Sequence, residues 1–266
     1  MHTPTVLTIA GFDPYGGAGI QIDTKTIHAL GGYALSATTA ITAQNSQGVS
    51  GVEPVSARML HLQLSTLLDD IKVDAVKIGM LANAELVEVV ADILKKYRLK
   101  NVVLDTVLVS SSGKVLLAPE AVEKMIVKLF PLCSLVTPNL DETNTFLKCS
   151  FQGDAEEIAQ MAEGFFAMGA ENILFKGGHT AQREAIDYLA SSSGVTDFRT
   201  PRVDTSHTHG TGCLLSSAIA ACLAKGESLP SAVAQAKVFL YGRLQEAEAL
   251  AMHYRTQRTE RKEPIF

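Results

Sequence analysis

The sequence lacks the marks of several large protein classes. Its four cysteines, Cys133, Cys149, Cys213 and Cys222, form no C-x-x-C pair, which removes zinc-knuckle and thioredoxin-type readings. No apolar run approaches the roughly 18 residues of a membrane-spanning helix. The first residues carry neither the basic cluster nor the apolar stretch of a secretory leader. There is no Walker A motif, no internal repeat, no low-complexity segment and no convincing linker. Basic residues are not in excess: the formal net charge is −5. The one basic cluster, 255–262, is interleaved with glutamate and reads as a solvated tail rather than a nucleic-acid patch. The expectation is a cytoplasmic protein with free thiols that binds neither nucleic acid nor membrane.

What is present is a substantial apolar fraction. Of 266 residues, 47% are hydrophobic and 19% charged, enough to build one sizeable core. With no linker to divide it, the chain is expected to form a single domain over 1–266. Short apolar runs alternate with amphipathic stretches. Strands are expected at 5–10, 35–43, 74–78, 102–104, 135–137 and 172–175. Helices are expected at 20–30, 57–69, 85–97, 119–129, 155–168, 212–224 and 231 to about 251. A β-rich excursion is expected at 185–203. This alternation predicts an α/β fold with a mostly parallel sheet covered by helices on both faces. Ligands of such sheets bind beyond the carboxyl ends of the strands, so the loops at 11–19, 44–47, 79–81, 105–113, 138–142 and 176–180 are where chemistry is expected.

The most informative stretch is Thr208-His209-Gly210-Thr211-Gly212-Cys213, which runs into a small-residue apolar helix pattern. Gly-Thr-Gly lets backbone N–H groups turn toward one point. The following helix adds its unpaired amides and the positive end of its dipole. That is an anion site, and phosphate is the obvious anion. A thiol at such a position tends to ionise near neutral pH, so Cys213 is expected to supply a thiolate base. The plainer alternative is an ordinary turn followed by a small buried cysteine.

The remaining candidates are weaker one by one. Gly16-Gly17-Ala18-Gly19 precedes a helix, but Ile22 stands where the third glycine of a dinucleotide fingerprint would fall. Asp23 is a candidate ligand acceptor, or a first-turn charge that complements the helix dipole. Gln44-Asn45 ends a strand, and an amide offers both donor and acceptor to the edge of a heterocycle. A polar turn is the alternative. Asp105, Asn139 and Glu142 are oxygen donors of the kind magnesium takes. Lys176 is placed to meet a phosphate as a point charge. His179, His207 and His209 have no metal-ligand spacing and read as structural or as polar lining.

Taken together, TIAGFDPYGGAGIQIDTKTIHALGGY, TAITAQNSQGV, VKIGML, VVLD, TPNLDET, KGGH and HTHGTGC resemble, in wording and order, the ribokinase-like superfamily. Within it they resemble the bacterial hydroxymethylpyrimidine and phosphomethylpyrimidine kinases of thiamine synthesis. The resemblance implies a three-layer sandwich, ATP and Mg2+ as co-substrate and metal, a pyrimidine acceptor, and a homodimer. It implies that Cys213 is the catalytic base and that Gly210, Thr211 and Gly212 cradle the transferring phosphate. Asn139 and Glu142 then match an N-x-x-E magnesium element, and Lys176 and Asp105 lie beside the phosphates. Gln44, Gly11, Asp23 and Met80 line the acceptor pocket. Phe12, Thr106, Leu108 and Asp141 depart from the family wording; Asp141 leaves N-x-x-E intact, whereas Phe12 and the altered 106–108 segment raise pyridoxal kinase activity as the alternative.

Overall fold

A computed structural model of the chain describes residues 2–45, 47–109, 113, 115–177, 184–205 and 208–247. A nine-stranded sheet runs through them in the order β3-β2-β1-β4-β5-β6-β7-β8-β9. Five strands form its centre: β1 (Thr5–Phe12), β4 (Ala75–Ile78), β5 (Val102–Leu104), β6 (Leu135–Val136) and β7 (Ile173–Phe175). They pair in parallel, and β2 (Tyr33–Asn45) adds to β1 in the same sense. Antiparallel strands extend both edges: β3 (Gly48–Pro54) on β2, and the hairpin β8 (Glu184–Ser191) and β9 (Gly194–Pro201) on β7.

The central strands are buried on both faces, as parallel strands must be. Leu7, Ile9, Val76, Ile78, Val102 and Leu104 point into one apolar layer. There they meet α2 (Ala57–Asp70), α3 (Ala84–Tyr97), α4 (Pro119–Lys128) and α6 (Ile158–Ala167). The alternate residues Val6, Ala75, Val103, Leu135 and Leu174 point the other way. That face is covered by α1 (Gly19–Ala29), α7 (Thr211–Ala224) and α8 (Leu229–Gln245). The three-layer α/β sandwich expected from the alternation of apolar runs is therefore present.

The differences from the sequence expectations have local causes. Strand β3 was not expected: its sequence GVSGVEP is glycine-rich and it is largely exposed as an edge, so it carries no apolar periodicity. Helix α5 (Leu140–Leu147) was not expected; it begins inside the expected loop 138–142, where Asn139 and Glu142 form a capping box that starts it. The helix expected from 155 opens as a 3₁₀ turn at Ala155–Glu157 before α6. Thr137 lies beyond β6. Helix α8 starts before the expected 231, with Pro230 in its first turn, and runs to Gln245. The part of that expectation from 248 to 251 falls outside the described residues.

One polar cluster interrupts the apolar layer between the sheet and α1/α7. Thr8 and Lys77 are register partners on β1 and β4. Lys77 Nζ bonds both oxygens of Asp23 on α1, at 2.9 and 2.8 Å, and all of its side chain is buried. Thr8 Oγ1 donates to Asp23 Oδ2 at 2.5 Å and Ser217 Oγ of α7 donates to Asp23 Oδ1 at 2.7 Å. Burial alone would lower the Lys77 ammonium, but Asp23 outweighs it and holds it above its ordinary value. Removing one partner leaves an uncompensated buried charge, which costs about 3–5 kcal/mol. Asp23→Asn is therefore expected to lower the unfolding free energy by about that amount. The paired change Asp23→Leu/Lys77→Met should cost less than Asp23→Asn alone, as read by urea denaturation.

Candidate functional site

The carboxyl ends of the parallel strands open on a cavity of about 670 Å³. Each parallel strand delivers at least one expected residue to it. Gly11 comes from the end of β1, Gln44 from the end of β2 and Met80 from just past β4. Asp105 directly follows β5, Asn139 and Glu142 follow β6, and Lys176 directly follows β7. Gly210 to Cys213 close the cavity from the α7 side. All eleven of these residues, scattered over the sequence, are brought together.

The start of α7 is built by close backbone approach. Gly210 is its N-cap in the left-handed region, φ +81°, and a Cβ there would lie 1.8 Å from the Gly17 carbonyl oxygen. No other residue fits that conformation and that contact. Gly212 faces Asp105 and Lys176: a Cβ on it would stand 3.4 Å from Asp105 Oδ2 and 3.5 Å from Lys176 Nζ. The Thr211 amide is taken by the Thr208 carbonyl at 3.3 Å, and the N-terminus of α7 opens on the same space as the lysine, a place suited to an anion.

Lys176 Nζ bonds Asp105 Oδ1 at 2.7 Å and lies 3.9 Å from Glu142 Oε2. Burial would lower the Lys176 ammonium, but the two carboxylates outweigh it and hold it above its ordinary value. Glu142 is itself tied down. Its Oε2 accepts from Thr106 Oγ1 and from the Asn139 amide, both at 2.8 Å, and its Oε1 accepts from the Leu108 amide at 3.3 Å. Asn139 Oδ1 accepts from the Glu142 amide at 2.9 Å. The N-x-x-E element is thus first a capping box. Among the described residues no group of three or more His, Cys, Asp or Glu forms a metal-holding cluster. Two carboxylates against one ammonium leave an excess of negative charge beside the cradle. That suits a magnesium ion held mainly by water and phosphate oxygens with a carboxylate alongside.

Two expectations are corrected. Asp23 does not line the cavity: it is fully buried beneath it, held by Lys77, Thr8 and Ser217. The reason is Lys77, a charge inside the buried strand sequence AVKI, which requires a carboxylate partner. Cys213 is not poised as a thiolate in the ligand-free site. Burial pushes its thiol up to about 11; Lys77 and the Gly19 amide pull downward, while Asp23 and Asp105 push further up. Desolvation and the two carboxylates outweigh Lys77 and the Gly19 amide.

Some residues were not singled out from the sequence. Asp13 is 3% exposed and accepts from the amides of Tyr15, Gly17 and Ala18, which folds the glycine-rich loop around one carboxylate. Its signal was the Asp-Pro turn wording. Lys237 of α8 bonds Asp187 Oδ2 of β8 at 2.7 Å, and both line the cavity. No local pattern marked that pair. His209 is polar lining, as expected, whereas His179 and His207 lie outside the described residues. Of the positions that depart from the family wording, Phe12 and Asp141 line the cavity. Thr106 and Leu108 do not; they hold Glu142 from behind.

Nearly the whole chain is similar to known kinases. The hydroxymethylpyrimidine/phosphomethylpyrimidine kinase of Salmonella typhimurium is 43% identical over 250 residues, 94% of each chain. The crystal structure of phosphomethylpyrimidine kinase from Clostridium difficile superposes with a TM-score of 0.80 at 37% identity, covering 90% of this chain and 99% of that one. The ADP complex of Bacillus subtilis pyridoxal kinase superposes at 0.86 with 33% identity, covering 94% of each. The phosphomethylpyrimidine kinase family model matches residues 13–257. With nearly the whole chain matched, this protein belongs to the phosphomethylpyrimidine kinase family.

Proposed function

We propose that this kinase transfers the γ-phosphoryl group of ATP to the hydroxyl of 4-amino-5-hydroxymethyl-2-methylpyrimidine. It then transfers a second to the monophosphate, yielding the diphosphate for thiamine synthesis. The observation that carries the reading is the convergence, in one cavity, of a helix N-terminal cradle, the Lys176–Asp105 pair and the Gln44 amide. The first two suit a transferring phosphate, and the third suits the edge of an aminopyrimidine.

Phosphoryl transfer is largely positioning plus electrostatics. The Gly210, Thr211 and Gly212 backbone stabilises charge on the moving phosphoryl group, and Lys176 adds a point charge to the phosphates. Asp105, Glu142 and Asn139 would hold Mg2+, which would neutralise phosphate charge when bound. Gly11 and Met80 shape the wall facing the ring: a Cβ on Gly11 would lie 2.6 Å from Met80 Cε, so a side chain there would push the end of Met80 aside. Cys213 accepts the hydroxyl proton in the first step. The attacking oxygen of the monophosphate is already ionised and needs no such base. The chain acts as one cytoplasmic catalytic domain and, like the family members it resembles, as a homodimer.

Cys213→Ala is expected to lower kcat for the hydroxymethyl substrate by about 10²–10⁴-fold, the usual contribution of a general base. The loss should be much smaller for the monophosphate, and equal losses would refute the role. A base must be deprotonated to act, and the resting thiol titrates near 11. The first-step rate of the native enzyme should therefore climb with pH from neutral into the alkaline range, and Cys213→Ala should flatten that profile. A panel of the two pyrimidines and pyridoxal with Mg-ATP tests the acceptor. Higher kcat/KM for both pyrimidines is expected; preference for pyridoxal would overturn the acceptor and direct attention to Phe12.

A further inference from the structure

His209 stands between two side chains that make opposite demands on it. Its Nε2 lies 3.2 Å from Asp13 Oδ2 and 3.0 Å from Gln44 Nε2. A ring nitrogen either donates or accepts. Asp13 is a buried carboxylate, and Oδ2 already receives the amides of Gly17 and Ala18 at 3.1 and 2.9 Å. It can only accept, so His209 Nε2 must carry a hydrogen. A nitrogen that carries a hydrogen cannot accept one from the Gln44 amide, and two N–H groups would then face each other.

Half a turn of the amide resolves the conflict, since amide ends and imidazole protons are assigned from their partners. Gln44 Oε1 then accepts from His209 Nε2–H, which it shares with Asp13. Gln44 Nε2 takes the position 3.3 Å from Thr42 Oγ1. The Thr42 hydroxyl gives its hydrogen to the Phe12 carbonyl at 3.0 Å, and its lone pair accepts from the amide. Every group is satisfied in this arrangement and not in the other. The backbone supports it: β2 carries an irregularity in its pairing with β3 between Ala43 and Gln44, and bulges of this kind re-aim a side chain.

We propose that the Asp13–His209 pair fixes the direction of the Gln44 amide and so sets the donor–acceptor order that the site offers to a heteroaromatic acceptor. The amide oxygen is on the His209 side and the N–H on the Thr42 side. A ring that fits must bring a donor to the His209 side and an acceptor to the Thr42 side. An aminopyrimidine does so when its exocyclic amine faces His209 and its ring nitrogen faces Thr42. The proposal deepens the functional reading and rests on Gln44 as the ring-binding residue. His209 and Asp13 are positioning residues in it.

The first test needs no substrate. Long-range ¹⁵N–¹H correlation on the ligand-free, full-length protein, with the signal assigned by its loss in His209→Gln, should show His209 protonated at Nε2. A neutral ring protonated only at Nδ1 would overturn the proposal. The second test reads binding of hydroxymethylpyrimidine by calorimetry without nucleotide, together with acceptor KM and kcat. His209→Leu should raise Kd and acceptor KM by about tenfold, the effect of one well-formed hydrogen bond, with kcat and the KM for ATP near native. His209→Gln, which keeps a donor there, should recover most of the loss. In a Gln44→Ala background, His209→Leu should change Kd by no more than about twofold, because coupled residues are not additive. Additive losses would overturn the proposal. Failure of the native protein to bind any pyrimidine would overturn the reading of Gln44, and the proton position would still decide the orientation.

Discussion

The buried Lys77–Asp23 pair is the constraint on which the rest of the site depends. A lysine in a strand that is buried on both faces must be neutralised on the spot. Here the partner comes from α1, and Thr8 of β1 and Ser217 of α7 complete its hydrogen bonding. One carboxylate therefore ties two central strands to two helices. Those helices carry, at their N-termini, the glycine-rich loop at 13–19 and the Gly210–Cys213 cradle. Their mutual position is tight enough that Gly210 touches the Gly17 carbonyl and Gly19 approaches the Gly11 carbonyl, where a Cβ would lie 2.2 Å away. Apolar packing alone tolerates small slides between helix and sheet; a buried carboxylate fixed by four hydrogen bonds does not.

A second economy lies in Glu142. The same side chain closes the capping box of α5, holds the 106–108 backbone through Thr106 and the Leu108 amide, and adds negative charge beside Lys176. This explains why an N-x-x-E spacing belongs at this place in the fold. Three residues is the separation at which an N-cap and its reciprocal partner meet. The motif is a helix start first, and its carboxylate reaches the cavity because α5 begins where β6 ends.

How much of this was legible follows from what sequence periodicity records. The central parallel strands are short and apolar, and the long helices carry an apolar face, so their order and the position of the cavity could be read directly. Strand β3 could not, because an exposed edge strand rich in glycine has no apolar rhythm. Helix α5 was missed because it is only eight residues long and its N-cap directly follows Pro138, inside what reads as a strand-end loop. Of the site, the residues at strand ends were found because topology sends every such loop to one side. Asp23 was misplaced because its partner Lys77 is 54 residues away, and nothing local says whether an aspartate one turn into a helix faces a loop or a buried cation. The ties of His209 and Asp13 to Gln44 are long-range in the same sense.

The raised thiol of Cys213 follows from the same architecture. The cradle is walled by Asp105 and underlain by Asp23, so a thiolate on the half-buried Cys213 meets two carboxylates and partial desolvation. Lys77 and the Gly19 amide act against this and do not prevail. A site arranged in this way keeps its base protonated while no substrate is present, which protects the thiol from oxidation, since reactivity follows thiolate content. It also means that the chemistry is not driven by a strong resting nucleophile or base. Its largest part must come from the fixed amides of α7 and from Lys176, groups whose charge does not depend on pH in the neutral range. With Cys213 as the base, as proposed, the base matters for only one of the two phosphorylations, and a single cavity can serve an alcohol and a phosphate as acceptors without rebuilding its electrostatics between them.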